Sequence, residues 1–137
     1  PFLENEKIHS NNHKIIYHGL IKDNLIKRNI IDQCDILLCP SFSEGMPNVI
    51  IESMSRGLSI IASDVGAVSE LVNYKNGVLL ASNTSDDILN AIVKLLNLRR
   101  KDFLKMRFNS IDKVEKNFLW EKIIQLTLNK INILYRK

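Results

Sequence analysis

Four short runs of the chain are nearly continuous in apolar, β-favouring residues: KIIYH (Lys14–His18), DILLC (Asp35–Cys39), SIIAS (Ser59–Ser63) and GVLLA (Gly77–Ala81). A strand with one wet face alternates, whereas a parallel strand covered on both faces does not. Between the runs the spacing turns helical. Ile26, Ile30, Ile31 and Cys34 share one helix face ahead of the second run. Asn48 to Arg56 separates the second run from the third, and Val68 to Val72 gives a short turn of helix before the fourth. Strand and helix alternating through short connections imply right-handed crossovers and a parallel sheet. The predicted fold class is therefore α/β: a Rossmann-like parallel sheet with flanking helices and a helical C-terminus.

That C-terminus begins at a capping signal. The Thr84 hydroxyl can accept from a free amide and the Asp87 carboxylate favours the positive helix end, so a helix is predicted to open there and run through Leu96. A second is predicted over about Lys101 to Lys116, and a third from Trp120 to about Tyr135. On the third, Leu119, Ile123, Leu126, Ile133 and Leu134 share one side. Ile124, Leu128, Ile131 and Tyr135 fall on another, and only a narrow polar strip remains. One packed surface needs an apolar stripe of little over ~100°. This helix is thus expected to touch two bodies, its own domain and something outside this chain.

With 137 residues, 45% hydrophobic and 25% charged, the chain suits one compact domain over residues 1–137. No apolar run reaches the ~18 residues of a membrane span, and no basic segment followed by an apolar block reads as a signal peptide. Cys34 and Cys39 stand too far apart along an extended strand for a bridge, and are expected to be small buried apolar residues in a reducing cytosol. His9, His13 and His18 lack partners at ligand spacing, so no metal site is expected. The net charge of +4 favours anionic partners. The denser basic patch of Arg99, Arg100, Lys101, Lys105 and Arg107 reads as a solvated helix face. No aromatic-rich basic motif for RNA is present, so nucleic acid is not expected as a partner.

The candidate chemistry lies in SEGMPNVIIESMSRG, Ser43 to Gly57. The second strand ends at Cys39–Pro40 and the loop Ser41–Gly45 follows. Pro47 fits the first helical position and Gly57 the position that ends the helix. A helix thus starts beside the carboxyl end of a parallel strand, the edge where open α/β sheets bind ligands. Free amides of Met46, Asn48 and Val49 would make an anion seat suited to phosphate, and Gly45 would let the backbone come close to a ligand. Glu44 in the loop and Glu52 about one turn into the helix would repel phosphate but accept from hydroxyls. Hydroxyls, then phosphates, then hydroxyls describe a nucleotide-diphosphate sugar. The plainer alternative leaves Glu44 capping a loop and Glu52 exposed on its helix.

The segment CPSFSEGMPNVIIESMSRGLSIIASDVGAVSELVNYKNGVLL, Cys39 to Leu80, resembles the signature region of group 1 (family 4) glycosyltransferases, retaining enzymes of the GT-B fold. Glu44 and Glu52 match that family's glutamate–seven residues–glutamate motif. Pro40–Ser41, Gly45, Pro47, Gly57, Gly66, Glu70 and Gly77 also fall where its pattern has such residues. His18–Gly19, Phe118 and Trp120–Glu121 extend the likeness to roughly Lys14–Tyr135. The resemblance implies that Glu44 lies against the donor sugar near the reacting carbon and is the catalytic candidate. Gly45, Met46 and Pro47 would line the sugar, Asn48 and Val49 would offer amides to the diphosphate, and Glu52 would accept from the ribose. Leu20 and Ile21 would lie near the nucleobase. No cofactor or metal is implied, only a nucleotide-diphosphate sugar as donor.

Two departures accompany the likeness. Gly66–Ala67 stands where many members have two glycines. The family's Arg and Lys phosphate clamp and its amino-terminal acceptor domain have no counterpart here, so the chain resembles the latter part of a donor-binding domain. The strand-end loop Ser63–Ala67 could border the pocket, but is expected mainly as a turn into a short helix. Cytoplasmic placement, with a peripheral membrane surface as a candidate partner, follows from family habit and basic charge. Two other readings compete: a non-catalytic Rossmann-like module docking a partner protein through its last helix, and a nucleotide-sugar epimerase. The Gly-x-Pro that follows the first glutamate fits a transferase better than the epimerase.

Overall fold

Three of the four apolar runs lie side by side in one parallel sheet. The computed structural model describes residues 9–10 and 13–135. Its order is β1 (His9–Ser10), β2 (His13–Lys14), α1 (Asn24–Asp32), β3 (Ile36–Cys39), α2 (Asn48–Ser55), β4 (Ser59–Ser63), α3 (Val68–Leu71), β5 (Gly77–Leu80), α4 (Ser85–Leu96), α5 (Arg100–Asn117) and α6 (Trp120–Tyr135). The sheet order is β3-β4-β5, with Leu38 opposite Ile61 and Ile61 opposite Val78.

The central strand explains its own composition. All five residues of β4 are buried. Ile60 and Ala62 face a core built with Ile50 and Met54 of α2, Val68 and Leu71 of α3 and Val114 of α5. Ile61 faces the opposite layer, with Leu80 and with Ala91 and Leu95 of α4. A strand packed by helices on both sides has no place for a polar alternation.

The helix boundaries follow local chemistry. The Asp23 carboxylate accepts from the amides of Leu25 (2.7 Å) and Ile26 (3.3 Å), capping α1. Thr84 caps α4 by accepting from the Asp87 amide, as its spacing predicts. Gly57, at φ 75°, ends α2 in the left-handed region. Arg107 of α5 donates to the Gly57 carbonyl (2.6 Å) and pairs with Asp35, and the buried Ser110 hydroxyl donates to Leu58 O (2.7 Å). Helix α5 therefore seals the amino-terminal edge of β3 and β4 and leaves their carboxyl tips open.

Two expectations need correction. KIIYH is not a strand of the parallel sheet: only His13–Lys14 is extended and paired, antiparallel to His9–Ser10. Ile15, Ile16 and Tyr17 are more than half exposed. Apolar, β-favouring composition does not suffice for a strand, which also needs a neighbour to take its hydrogen bonds. Cys34 is exposed rather than buried, and Cys39 is only half-buried; both are free thiols. Helix α6 packs on its own domain through α5 and leaves its apolar faces open. It touches α5, none of its residues is buried, and Trp120, Leu126, Ile133 and Leu134 are each more than half exposed.

Candidate functional site

The carboxyl tip of β3 leads into the loop that carries Glu44 and then into α2. Pro47 is the N-cap of this helix, with φ −72° and ψ 115°, one position earlier than its sequence suggests. Its fixed φ is close to that of an extended residue as well as a helical one, so both positions tolerate it. No side chain caps α2, and the exposed residues Asn48 and Val49 begin it. Their amides have no carbonyl four residues back within the helix, so the positive end of α2 faces open space. Gly45 adds room: a Cβ built on it would meet nothing within 4 Å.

Glu44 is held from behind. Its Oε1 accepts from the Ser41 hydroxyl at 2.9 Å. The Ser41 carbonyl accepts from Asn83 Nδ2 at 3.0 Å, and the Asn83 carbonyl oxygen accepts from the Ser63 hydroxyl. The tips of β3, β4 and β5 are thus tied by one asparagine. The loop Ser63–Ala67 does turn into the short helix α3, and it also supports the site. Ala67 N donates to Gly45 O at 2.8 Å, and Gly66, at φ 56°, lies directly against the Glu44 backbone.

Glu52 faces the other way. It stands four residues beyond Asn48, on the same helix face, away from the buried face of Ile50, Ser53 and Met54. Its Oε1 accepts from Lys27 Nζ at 3.2 Å, and its Oε2 lies 2.9 Å from the same nitrogen in an ion pair. Helices α1 and α2 run in the same direction, so Lys27 in the first turn of α1 meets Glu52 near the strand tips. Asp32 meets Arg56 at the far end. That ion pair holds the Arg56 guanidinium above its ordinary value. Between the two pairs runs a cleft of about 460 Å³ lined also by Asn24, Arg28, Ile31 and Ser55.

The predicted residues therefore fall into three groups. Glu44 and Glu52 flank the start of α2 on opposite sides, with Gly45, Met46, Pro47, Asn48 and Val49 between them. Met46 is 44% exposed and Pro47 buried. Leu20 and Ile21 lie apart, just before the Asp23 cap of α1, with Leu20 85% exposed. Sequence reasoning missed Lys27 and Asn83. Their signal is weak, because hydrogen bonds across 20 to 42 residues leave no periodicity. Among the described residues, no three His, Cys, Asp or Glu side chains come together as metal ligands.

Comparison with known proteins finds likenesses of sequence and of fold. The profile described as Glycosyl transferases group 1 matches residues 2–98. The UDP-Gal:alpha-D-GlcNAc-diphosphoundecaprenol alpha-1,3-galactosyltransferase of Escherichia coli is 33% identical over 111 residues, covering 74% of this chain and 28% of that protein. Among solved structures, the C-terminal domain of the group 1 glycosyl transferase LpcC from Francisella tularensis superposes with a TM-score of 0.66 at 27% identity. That match covers 74% of this chain and 52% of the other. Anabaena HepE in complex with UDP-glucose gives a TM-score of 0.66 at 23% identity, over 75% of this chain and 29% of that one, a likeness of fold. The fold shared with these neighbours is that of a GT-B glycosyltransferase domain. The chain spans under a third of the curated relatives' length.

Proposed function

Because the chain belongs to the glycosyl transferases of group 1, we propose that it forms the donor-binding part of a retaining glycosyltransferase. The enzyme moves a sugar from a nucleotide-diphosphate sugar to an acceptor hydroxyl. One observation carries the reading: an uncapped helix start at the strand tips, with a carboxylate on each flank.

In this reading the diphosphate sits at the start of α2. The amides of Asn48 and Val49 stabilise the negative charge that grows on the leaving group, and they are oriented before the reaction begins. Glu44 lies beside the sugar, orients its hydroxyls and favours positive charge at the reacting carbon. Gly45, Met46 and Pro47 wall the sugar site. Glu52, on the other flank, accepts from the ribose, and Leu20 and Ile21 border the base. No metal or cofactor is assigned a step. Attack occurs with retention at the anomeric carbon.

The related galactosyltransferase acts on a diphosphoundecaprenol-linked sugar. A lipid-linked or polysaccharide acceptor, held by a separate acceptor domain, is proposed here by that likeness. The enzyme would then work at the cytoplasmic face of a membrane, as a peripheral protein. No helix among the described residues is long and apolar enough to cross a membrane. The apolar α6 would pack against the rest of the enzyme. The chain alone would bind donor without turning it over.

Isothermal titration with UDP-glucose and UDP-galactose tests the reading. Native chain should bind, and Glu52→Ala should bind about tenfold more weakly, the loss of one or two charge-assisted hydrogen bonds. Equal binding by both proteins would remove the ribose role. Product anomeric configuration, read by NMR on the whole enzyme, tests retention.

A further inference from the structure

Glu52 presents a difficulty for its own proposed role. An acidic group about one helical turn from a diphosphate seat lies within a Debye length of it, so salt screens the repulsion poorly. A neutral acceptor would hold ribose hydroxyls without that cost. The structure supplies a partner instead. Lys27 Nζ lies 2.9 and 3.2 Å from the two oxygens of Glu52, reaching across from a helix 25 residues earlier in the chain. Both side chains are partly exposed, 37% for Lys27 and 42% for Glu52, so the pair opens onto solvent rather than into the core.

An exposed ion pair of this kind adds little to stability. Its place in the fold is more informative. The Asp23 cap fixes the start of α1, and Lys27 rises from the first turn beyond it. The Asp32–Arg56 pair fixes the far ends of the same two helices. Lysine and glutamate are therefore presented at matching heights near the strand tips. The ammonium donates to Oε1 and pairs with Oε2. A carboxylate has about four acceptor positions, so the remaining ones stay free for hydroxyls.

We infer that Lys27 is a positioning residue of the donor site: it orients Glu52 and cancels its charge, so that the carboxylate accepts ribose hydroxyls without repelling the diphosphate. This rests on the proposed ribose role of Glu52. Lys27 acts through Glu52 and makes no contact of its own with the reacting atoms. An arginine can replace it, whereas an apolar residue of the same length cannot.

The experiment is titration of the full chain with UDP, GDP and ADP, carried on with the nucleotide that binds best and its nucleoside. Lys27→Met should weaken diphosphate binding about tenfold, and Lys27→Arg should stay within about threefold of native. The nucleoside keeps the ribose that Glu52 grips but has no phosphate to repel, so Lys27→Met should weaken its binding clearly less than it weakens the diphosphate's. In the double variant Lys27→Met with Glu52→Gln, binding should be no weaker than in Glu52→Gln alone. Additive losses in the double variant, or equal losses for diphosphate and nucleoside, would overturn the inference. So would native-like diphosphate binding by Lys27→Met while Glu52→Gln binds weakly. If Glu52→Gln itself binds as native does, or no nucleotide binds, the ribose role has failed first. Circular dichroism melts of each variant confirm that fold is retained.

Discussion

A Cβ on Gly66 would lie 2.0 Å from the carbonyl oxygen of Glu44 and 2.7 Å from that of Gly45. Both obstacles are backbone atoms, so no rotamer change relieves them. Residue 66 also sits at φ 56°, where a side chain is strained in any case. The β4–α3 loop therefore sets the height of the loop that carries the first motif glutamate.

Gly66→Ala is expected to push the Glu44 loop outward by about 1 Å, a displacement that can cost roughly 100-fold in rate when it misplaces a reacting group. Transfer rate in the whole enzyme should fall by that order, with a lower melting temperature from the strained φ. Measurement is by initial rate and thermal melt. A variant with native rate would show that Glu44 needs no fixed height.

Much of this arrangement was readable from the sequence, for physical reasons. Strand β4 and helix α6 match their predicted ranges, and the Thr84 cap fell where its hydroxyl and Asp87 placed it, because these depend on residues within a few positions. The helix that follows Glu44 and carries Glu52 was legible for the same reason. Tertiary closure was not. KIIYH has strand composition, but among the described residues only its Lys14 is paired. Cys34 continues the helical face of Ile30 and Ile31 on paper, yet α1 stops at Asp32, so the angle no longer applies. Asn83 looked like one more polar residue before a helix. Its hydrogen bond to Ser41 spans 42 residues, and only the parallel sheet brings them together.

Asn83→Ala removes the donor to Ser41 O and the acceptor for Ser63 Oγ together. Two part-buried bonds at about 0.5–1.5 kcal/mol each predict a stability loss of roughly 1–3 kcal/mol. The effect on function should be selective. Ser41 would lose its anchor, and with it the hydroxyl that holds Glu44, while the start of α2 and Glu52 stay in place. The whole enzyme should therefore lose kcat more than donor affinity. Asn83→Asp keeps the acceptor and loses the donor, and should fall between the two. Steady-state kinetics read this split; a loss confined to KM would contradict the route through Ser41.

Lys113 gives the pH dependence. It lines a hollow of about 280 Å³ with Asn73, Lys75, Asn76, Asn109, Asp112, Lys116 and Asn117. Partial burial pushes its ammonium below the ordinary lysine value, and attraction to Glu70 opposes that shift without cancelling it. In the unfolded chain the same group stays charged to about pH 10.4. Between the lowered folded value and that one, the unfolded state holds more protons, so stability contributed by this group rises with pH. At neutral pH both states are charged and the folded protein bears the whole desolvation cost. Lys113→Met should therefore melt slightly higher than native at pH 7, by about 1 °C, because solvent still screens a partly buried group. The difference should shrink as pH rises through the folded value and vanish above about 10.4. Glu70→Gln removes the opposing attraction and should widen the window. Melts of the three proteins from pH 7 to 11 test this, and a difference that grows with pH would reverse the sign and refute the assignment.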